Sequence, residues 1–366
     1  MKWTEADYRF MSRAVQLARR GLYSTRPNPR VGCVLVRNNI VIAEGWHEYA
    51  GGPHAEIRAL EAAGNQAAGA TCYVSLEPCN HSGRTGPCTE VLVQAGIGRV
   101  VAAMRDPNPE TAGRGLQFLS DAGIHVACGL LELQARQLNT GFIRRMTAGL
   151  PLLRCKQAVS LDGRTAMASG ESRWITSDAS RLDVQHWRAR SCAVLTGIGT
   201  VLADDPRLDV REIELQYGGP LRVVLDRQLR MSPQARMLKH AGRVLVLTVT
   251  DDDHKRRALQ AAGAEIRVLP EKDFLLRALQ HLAGEEQINE VLVEAGATLS
   301  GALLEQELID ELIIYQAPVV MGDGARGLFH LPSLQTMGDR IPLKLIEMRR
   351  VGGDIRFILN KEKSDT

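Results

Sequence analysis

The chain has 366 residues, with 45 Lys+Arg against 42 Asp+Glu, a formal charge of +3 and only 4% aromatic residues. That length accommodates two cores, while the near balance of charge leaves no basic stripe that demands nucleic acid, and aromatics to stack on bases are scarce. No apolar run approaches membrane-spanning length, and seven cysteines, an odd number, point to a reducing, cytoplasmic setting rather than a disulfide framework.

In chain order, MKWTEADYRFMSRAVQLARRG has the apolar spacing of an amphipathic helix and not the pattern of a signal peptide. VGCVLV and IVIAEG follow as strands. PHAEIRALEAAG reads as a helix started by Pro53 and ended at Gly64. TCYVSLEP is the next strand, CTEVLVQAG a helix opening at Cys88, and RVVAAM and IHVAC two further strands. LLELQARQLNTGFIRRMTAGLP is expected as one helix and a break, so the first domain spans residues 1–148 and the second 149–366. The second carries strand patterns at LLRCKQAV, CAVLTG, RVVLD, RVLVLTV, EIRVL, EVLVEAG, ELIIYQAPVV, LKLIEM and IRFIL, separated by several helices. Both halves therefore read as α/β layers with separate sheets. Asp162-Gly163 suits a tight turn, and Thr298 or Ser300 is expected to cap the helix after EVLVEAG.

The chemistry concentrates in the first half. His54 and Glu56 stand two residues apart in PHAE, and Cys79 and Cys88 bracket NHSGRTGP. One imidazole and two thiols are the three protein ligands of a catalytic zinc site with an open position for water. Glu56, close to the metal but off it, is then placed to move protons. The H-x-E…P-C pattern is that of zinc nucleobase deaminases, although eight residues separate the thiols here instead of the usual two. The insert brings His81, Ser82, Arg84 and Thr85 beside the metal, groups suited to a phosphate. Cys33, Cys72, Cys128, Cys155 and Cys192 sit in apolar contexts and read as core residues. Two other readings share the motif. A nucleic-acid-editing deaminase would need a basic, aromatic-rich face, and a non-catalytic zinc-stabilised module would leave Glu56 dispensable.

PNPRVGCVLV, EGWHEYAGGPHAE, SLEPCNHSGRTGPC, DPNPETAGRG, SLDGRTAMASGESRWIT, GTVLADDPRL and VEAGATLSGALL occur in that order over nearly the whole chain. In this the chain resembles the bacterial bifunctional riboflavin-biosynthesis deaminase/reductases. The resemblance implies a cytidine-deaminase-like three-layer α/β/α domain followed by a dihydrofolate-reductase-like α/β domain. It implies one Zn2+ per chain, NADPH, a pyrimidine ribose-phosphate substrate, no nucleic-acid or membrane partner, and a homo-oligomer, dimer or tetramer. It places Asn28, His81 and Arg84 against the deaminase substrate. Lys156, Ser172, Arg188, Leu208, Arg211 and Glu294 would face the reductase substrate, with Arg188 and Arg211 toward its phosphate. Ala158, Trp174, Thr200, Asp204 and the run Gly296, Ala297, Thr298, Leu299, Ser300, Gly301 and Ala302 would line NADPH. Two departures stand out: Gly86 where a proline is common, and Arg227 where a small polar residue is common.

Overall fold

The computed structural model describes residues 2–80, 86–109 and 111–361. The chain divides into two compact units, residues 1–150 and 151–366.

The first unit contains β1 (Gly32–Arg37), β2 (Ile40–Trp46), β3 (Thr71–Val74), β4 (Arg99–Ala102) and β5 (His125–Cys128), with α1 (Glu5–Ala18), α2 (Ala55–Ala63), α3 (Cys88–Gln94), α4 (Arg114–Asp121), α5 (Glu132–Leu138) and α6 (Thr140–Ala148). The sheet order is β2-β1-β3-β4-β5. β1 is antiparallel to β2 and β3, and β3, β4 and β5 run parallel. Alternation along the strands sorts the core into two layers. Cys33, Leu35, Cys72, Val74 and Val100 pack toward α2, α3 and α4. Val34, Val36, Tyr73 and Val101 pack toward α1 and α5. This is the expected three-layer arrangement. Gly45 lets α2 press onto β2, since a Cβ there would lie 2.3 Å from the Ala55 carbonyl oxygen.

Thr4 caps α1: its hydroxyl accepts from the Asp7 amide at 3.1 Å, and the Asp7 carboxylate accepts from the Thr4 amide at 2.9 Å. Asp7 also accepts from the Tyr73 hydroxyl and from Arg99, both at 2.8 Å, which ties the helix to β3 and β4. Burial alone would raise the Asp7 carboxyl, but the bonds from Thr4, Tyr73 and Arg99 outweigh it and hold the group at about 2.

The single helix expected over LLELQARQLNTGFIRRM is two, broken at Asn139. The Asn139 side chain accepts from the Arg30 amide at 2.8 Å and donates to the Arg30 carbonyl at 2.9 Å. Its backbone, at φ −116° and ψ 24°, departs from the helix to make that two-sided contact.

The second unit contains β6 (Leu152–Val159), β7 (Arg164–Ala166), α7 (Asp178–Arg190), β8 (Ala193–Gly197), α8 (Ile198–Asp204), β9 (Leu221–Leu225), β10 (Val244–Thr248), α9 (Asp253–Ala261), β11 (Glu265–Val268), α10 (Phe274–Gly284), β12 (Glu290–Val293), α11 (Ala297–Glu305), β13 (Glu311–Gln316), β14 (Arg326–Gly327), β15 (Leu343–Val351) and β16 (Asp354–Lys361). Its main sheet has nine strands in the order β11-β10-β9-β8-β12-β6-β13-β16-β15. β11 through β13 run parallel, and β16 and β15 close the sheet antiparallel. β9, β10 and β12 are buried at every residue, as parallel strands covered on both faces must be. The nine strand patterns read from the sequence correspond to these nine strands. The short pair β7–β14 had too few residues to register as a pattern.

Candidate active sites

In the first unit, the start of α2, the end of the β3 segment and the start of α3 converge. His54 is the N-cap residue of α2 and Cys88 the first residue of α3. His54 Nδ1 lies 3.2 Å from Cys88 Sγ and 3.5 Å from Cys79 Sγ, and the three ligand atoms all fall within 4.8 Å of one another. Tetrahedral zinc with bonds of ~2.0–2.3 Å spaces its ligands about 3.5 Å apart, so the donor set fits that ion in kind and in spacing. The Cys88 amide donates to Cys79 Sγ at 3.4 Å. Hydrogen bonds from the Cys88 thiol, then from His54 and that amide, hold the Cys79 thiol well below its ordinary value, and so favour the thiolate a metal takes.

Glu56 is buried one residue into α2. Burial pushes its carboxyl up to about 7, against the opposing charge of His54. A carboxyl poised there can both take and give a proton near neutral pH.

Asn28 stands beside a residue that sequence reasoning passed over. His47 is buried, its ring edge-on to His54 at 5.4 Å between centroids. Its Nδ1 donates to the Pro53 carbonyl at 3.0 Å, and burial depresses its basicity, so Nε2 is left as the acceptor for the Asn28 amide at 3.0 Å. That chain of bonds fixes Asn28 with its carbonyl oxygen turned away from His47. The signal was available: His47 precedes His54 in the same quoted segment, EGWHEYAGGPHAE. His81 and Arg84 lie outside the described residues.

In the second unit, a cavity of about 1500 Å³ runs along the C-terminal ends of β6, β12, β8 and β9. Parallel sheets place ligands at that edge. The volume exceeds the ~300–1,000 Å³ of a single-ligand pocket. Lys156, Ser172, Arg188, Leu208, Arg211 and Glu294 line it, as do Ala158, Trp174, Thr200, Asp204, Gly296, Ala297, Thr298, Leu299 and Ala302. Ser300 and Gly301 do not. Ser300 is buried and accepts from Gln157 Nε2 at 2.6 Å, and a Cβ on Gly301 would lie 2.2 Å from the His330 carbonyl oxygen. Both therefore face the core side of α11. Nor do Thr298 or Ser300 cap that helix: its N-cap is Gly296, with no side-chain bond, which leaves the first backbone N–H groups available to an anion.

Lys156, in the middle of β6, and Glu294, just past the end of β12, meet where the pairing of those two strands ends, Nζ to Oε2 being 3.8 Å. Arg188 grips the same carboxylate, Nε to Oε1 at 2.5 Å and Nη2 to Oε2 at 3.0 Å, and its Nη1 donates to the Asp209 carbonyl. Burial would raise the Glu294 carboxyl, but Arg188 and Lys156 outweigh it and hold the group at about 2. Arg188 is thus occupied, whereas Arg211, 3.7 Å from the Asp209 carboxylate, is half exposed. From β6 to β9 is three strand intervals, about 14 Å at ~4.8 Å each, a length suited to an extended dinucleotide. Arg227 lies at that far end, paired with Glu271 at 2.7 Å and stacked over Phe274.

A cluster of zinc-type ligands with a buried carboxylate in one α/β unit, and a wide cavity across a parallel sheet in the other, suit a deaminase joined to a second enzyme unit. Residues 4–104 match the cytidine and deoxycytidylate deaminase zinc-binding region, and residues 151–357 match the RibD C-terminal domain. The chain is 48% identical over 362 residues to the riboflavin biosynthesis protein RibD of Escherichia coli K12, covering 95% of this chain and 98% of that one. It is 47% identical to the RibD of Haemophilus influenzae, over 98% of each. Among solved structures, Acinetobacter baumannii RibD superposes with a TM-score of 0.92 at 48% identity, over 98% of this chain and 99% of that one. A Thermotoga maritima diaminohydroxyphosphoribosylaminopyrimidine deaminase/5-amino-6-(5-phosphoribosylamino)uracil reductase gives 0.87 at 34% identity, over 97% and 99%. The chain belongs to the RibD family of bifunctional riboflavin-biosynthesis enzymes.

Proposed function

We propose that the first unit hydrolyses the 2-amino group of 2,5-diamino-6-(5-phosphoribosylamino)pyrimidin-4(3H)-one, releasing ammonia. The second unit would then reduce the ribosyl group of 5-amino-6-(5-phosphoribosylamino)uracil to ribityl. The observation that carries the reading is the cluster of His54 Nδ1, Cys79 Sγ and Cys88 Sγ with buried Glu56 beside it. His54, Cys79 and Cys88 would hold zinc, which supplies Lewis-acid activation of water when bound. Glu56 takes a proton from the attacking water and delivers it to the ring nitrogen and the departing amine. Asn28, braced by His47, orients the pyrimidine, and His81 and Arg84 serve its ribose phosphate.

NADPH would supply the hydride in the second unit, its phosphates near the Gly296 turn. Lys156 and Glu294 orient the ribose and ring, Arg211 meets the substrate phosphate, and Arg188 fixes the Glu294 carboxylate between the two. Supporting the reading is that fifteen expected positions line one cavity. Incubating the purified protein with the diaminopyrimidine phosphate should yield the deaminated mass alone, and the reduced mass only when NADPH is added. An unchanged substrate mass in both reactions would sink the assignment.

A homo-oligomer also fits. β15 is an edge strand on which Leu345, Ile346 and Met348 are 52%, 52% and 63% exposed, a pattern that lone sheets avoid. No helix among the described residues is long and apolar enough to cross a membrane.

A further inference from the structure

Glu77 has no part in the chemistry above, yet it is a buried carboxylate, 5% exposed, two residues before Cys79. Its Oε2 accepts from the amides of Asp106 at 3.0 Å and Gly113 at 2.9 Å. Its Oε1 accepts from the amides of Gly115 at 2.9 Å and Leu116 at 3.1 Å. Four backbone donors thus converge on one side chain, two of them in the first turn of α4, where a negative charge is favoured. The Glu77 amide itself donates to the Met104 carbonyl at 2.9 Å. Gly115 then packs so closely under the next residue that a Cβ would meet the Pro78 carbonyl oxygen at 2.1 Å. On the other side, the Thr89 amide donates to the Cys79 carbonyl at 3.2 Å, linking that turn to the helix that bears Cys88.

We propose that Glu77 is the positioning residue of the metal centre: it clamps Asp106 and the start of α4 at residues 113–116 beneath Pro78 and so sets where Cys79 Sγ stands relative to His54 and Cys88. The inference rests on the zinc reading of those three ligands. A surface carboxylate would serve no such end, but this one has each oxygen spanned by two donors. Glutamine cannot replace it. An amide has one acceptor oxygen, and its NH2 would face two N–H groups, leaving them buried and unpaired.

The test uses the full-length chain and Zn2+ in competition with a chromophoric chelator. Glu77→Gln should weaken zinc binding by ~10–100-fold, the usual range for groups that orient a ligand from behind, with far-UV circular dichroism unchanged. Gly115→Ala reaches the same turn from the opposite side, pushing Pro78 instead of releasing it, and should weaken zinc as well. Co2+-loaded variants should show altered thiolate charge-transfer bands, which a purely scaffolding role would leave alone. Wild-type affinity in either variant would overturn the proposal, as would loss of the fold of the first unit in zinc-saturated protein. A wild-type chain that takes up no zinc would instead overturn the metal reading itself.

Discussion

Among the buried residues of α2 Glu56 alone carries a titratable side chain, and burial brings its carboxyl close to neutrality. Glu56→Gln keeps the shape and spares the three ligands, so deamination should fall by the ~10²–10⁴-fold typical of an acid–base group. Zinc content, read by atomic absorption, should stay near one per chain; a variant without zinc would put Glu56 in the coordination sphere. In the other unit, Lys156→Ala and Glu294→Gln should slow reduction strongly while NADPH affinity, measured by fluorescence quenching, changes little. Glu294→Gln has a further consequence, because it strands the Arg188 guanidinium in a buried site without its anion. Equal turnover of both variants and wild type would reduce the pair to an ordinary structural ion pair. At this scale much was legible from the sequence, since His54, Glu56, Cys79 and Cys88 announce themselves by type and spacing. His47 and Glu77 did not, because each acts through bonds to backbone or to another side chain, and that geometry leaves no spacing rule. Ser300 and Gly301 do not line the cavity for a related reason: a run of seven residues across a helix start cannot all face one side.

Among the elements, strands were read well and helix ends less so. Parallel β9, β10 and β12 are runs rich in Val and Leu, which the sequence displays openly, whereas the break between α5 and α6 depends on Arg30, more than a hundred residues upstream. Asp7 joins α1 to two strands and makes that junction sensitive to acid. Its carboxyl titrates at about 2 in the fold, against ~3.9 in an unfolded chain. The stabilisation is therefore complete above pH ~4 and lost as the pH falls toward 2. The difference in urea midpoint between wild type and Asp7→Asn should be wide at pH 5 and shrink on acidification. A gap that stays constant with pH would remove Asp7 from this role. For β15, Ile346→Lys should lower the mass found by sedimentation if that strand joins copies of the chain, and unchanged mass would place the contact elsewhere.

Over the whole molecule, the two sites belong to units with separate cores. Cys79→Ala should accordingly abolish zinc uptake and deamination while reduction of supplied deaminated substrate continues at its usual rate. Loss of both activities in a chain whose second unit remains folded would contradict two independent sites. Separate cores also have a calorimetric consequence. A chain built this way need not melt as one cooperative block, and a ligand raises the melting temperature only of the part it binds in the folded state. In a heating scan, zinc removal should move one heat-absorption peak downward and leave the other in place, while NADPH should displace only the second. The thermogram would then report the occupancy of each site without any substrate turning over.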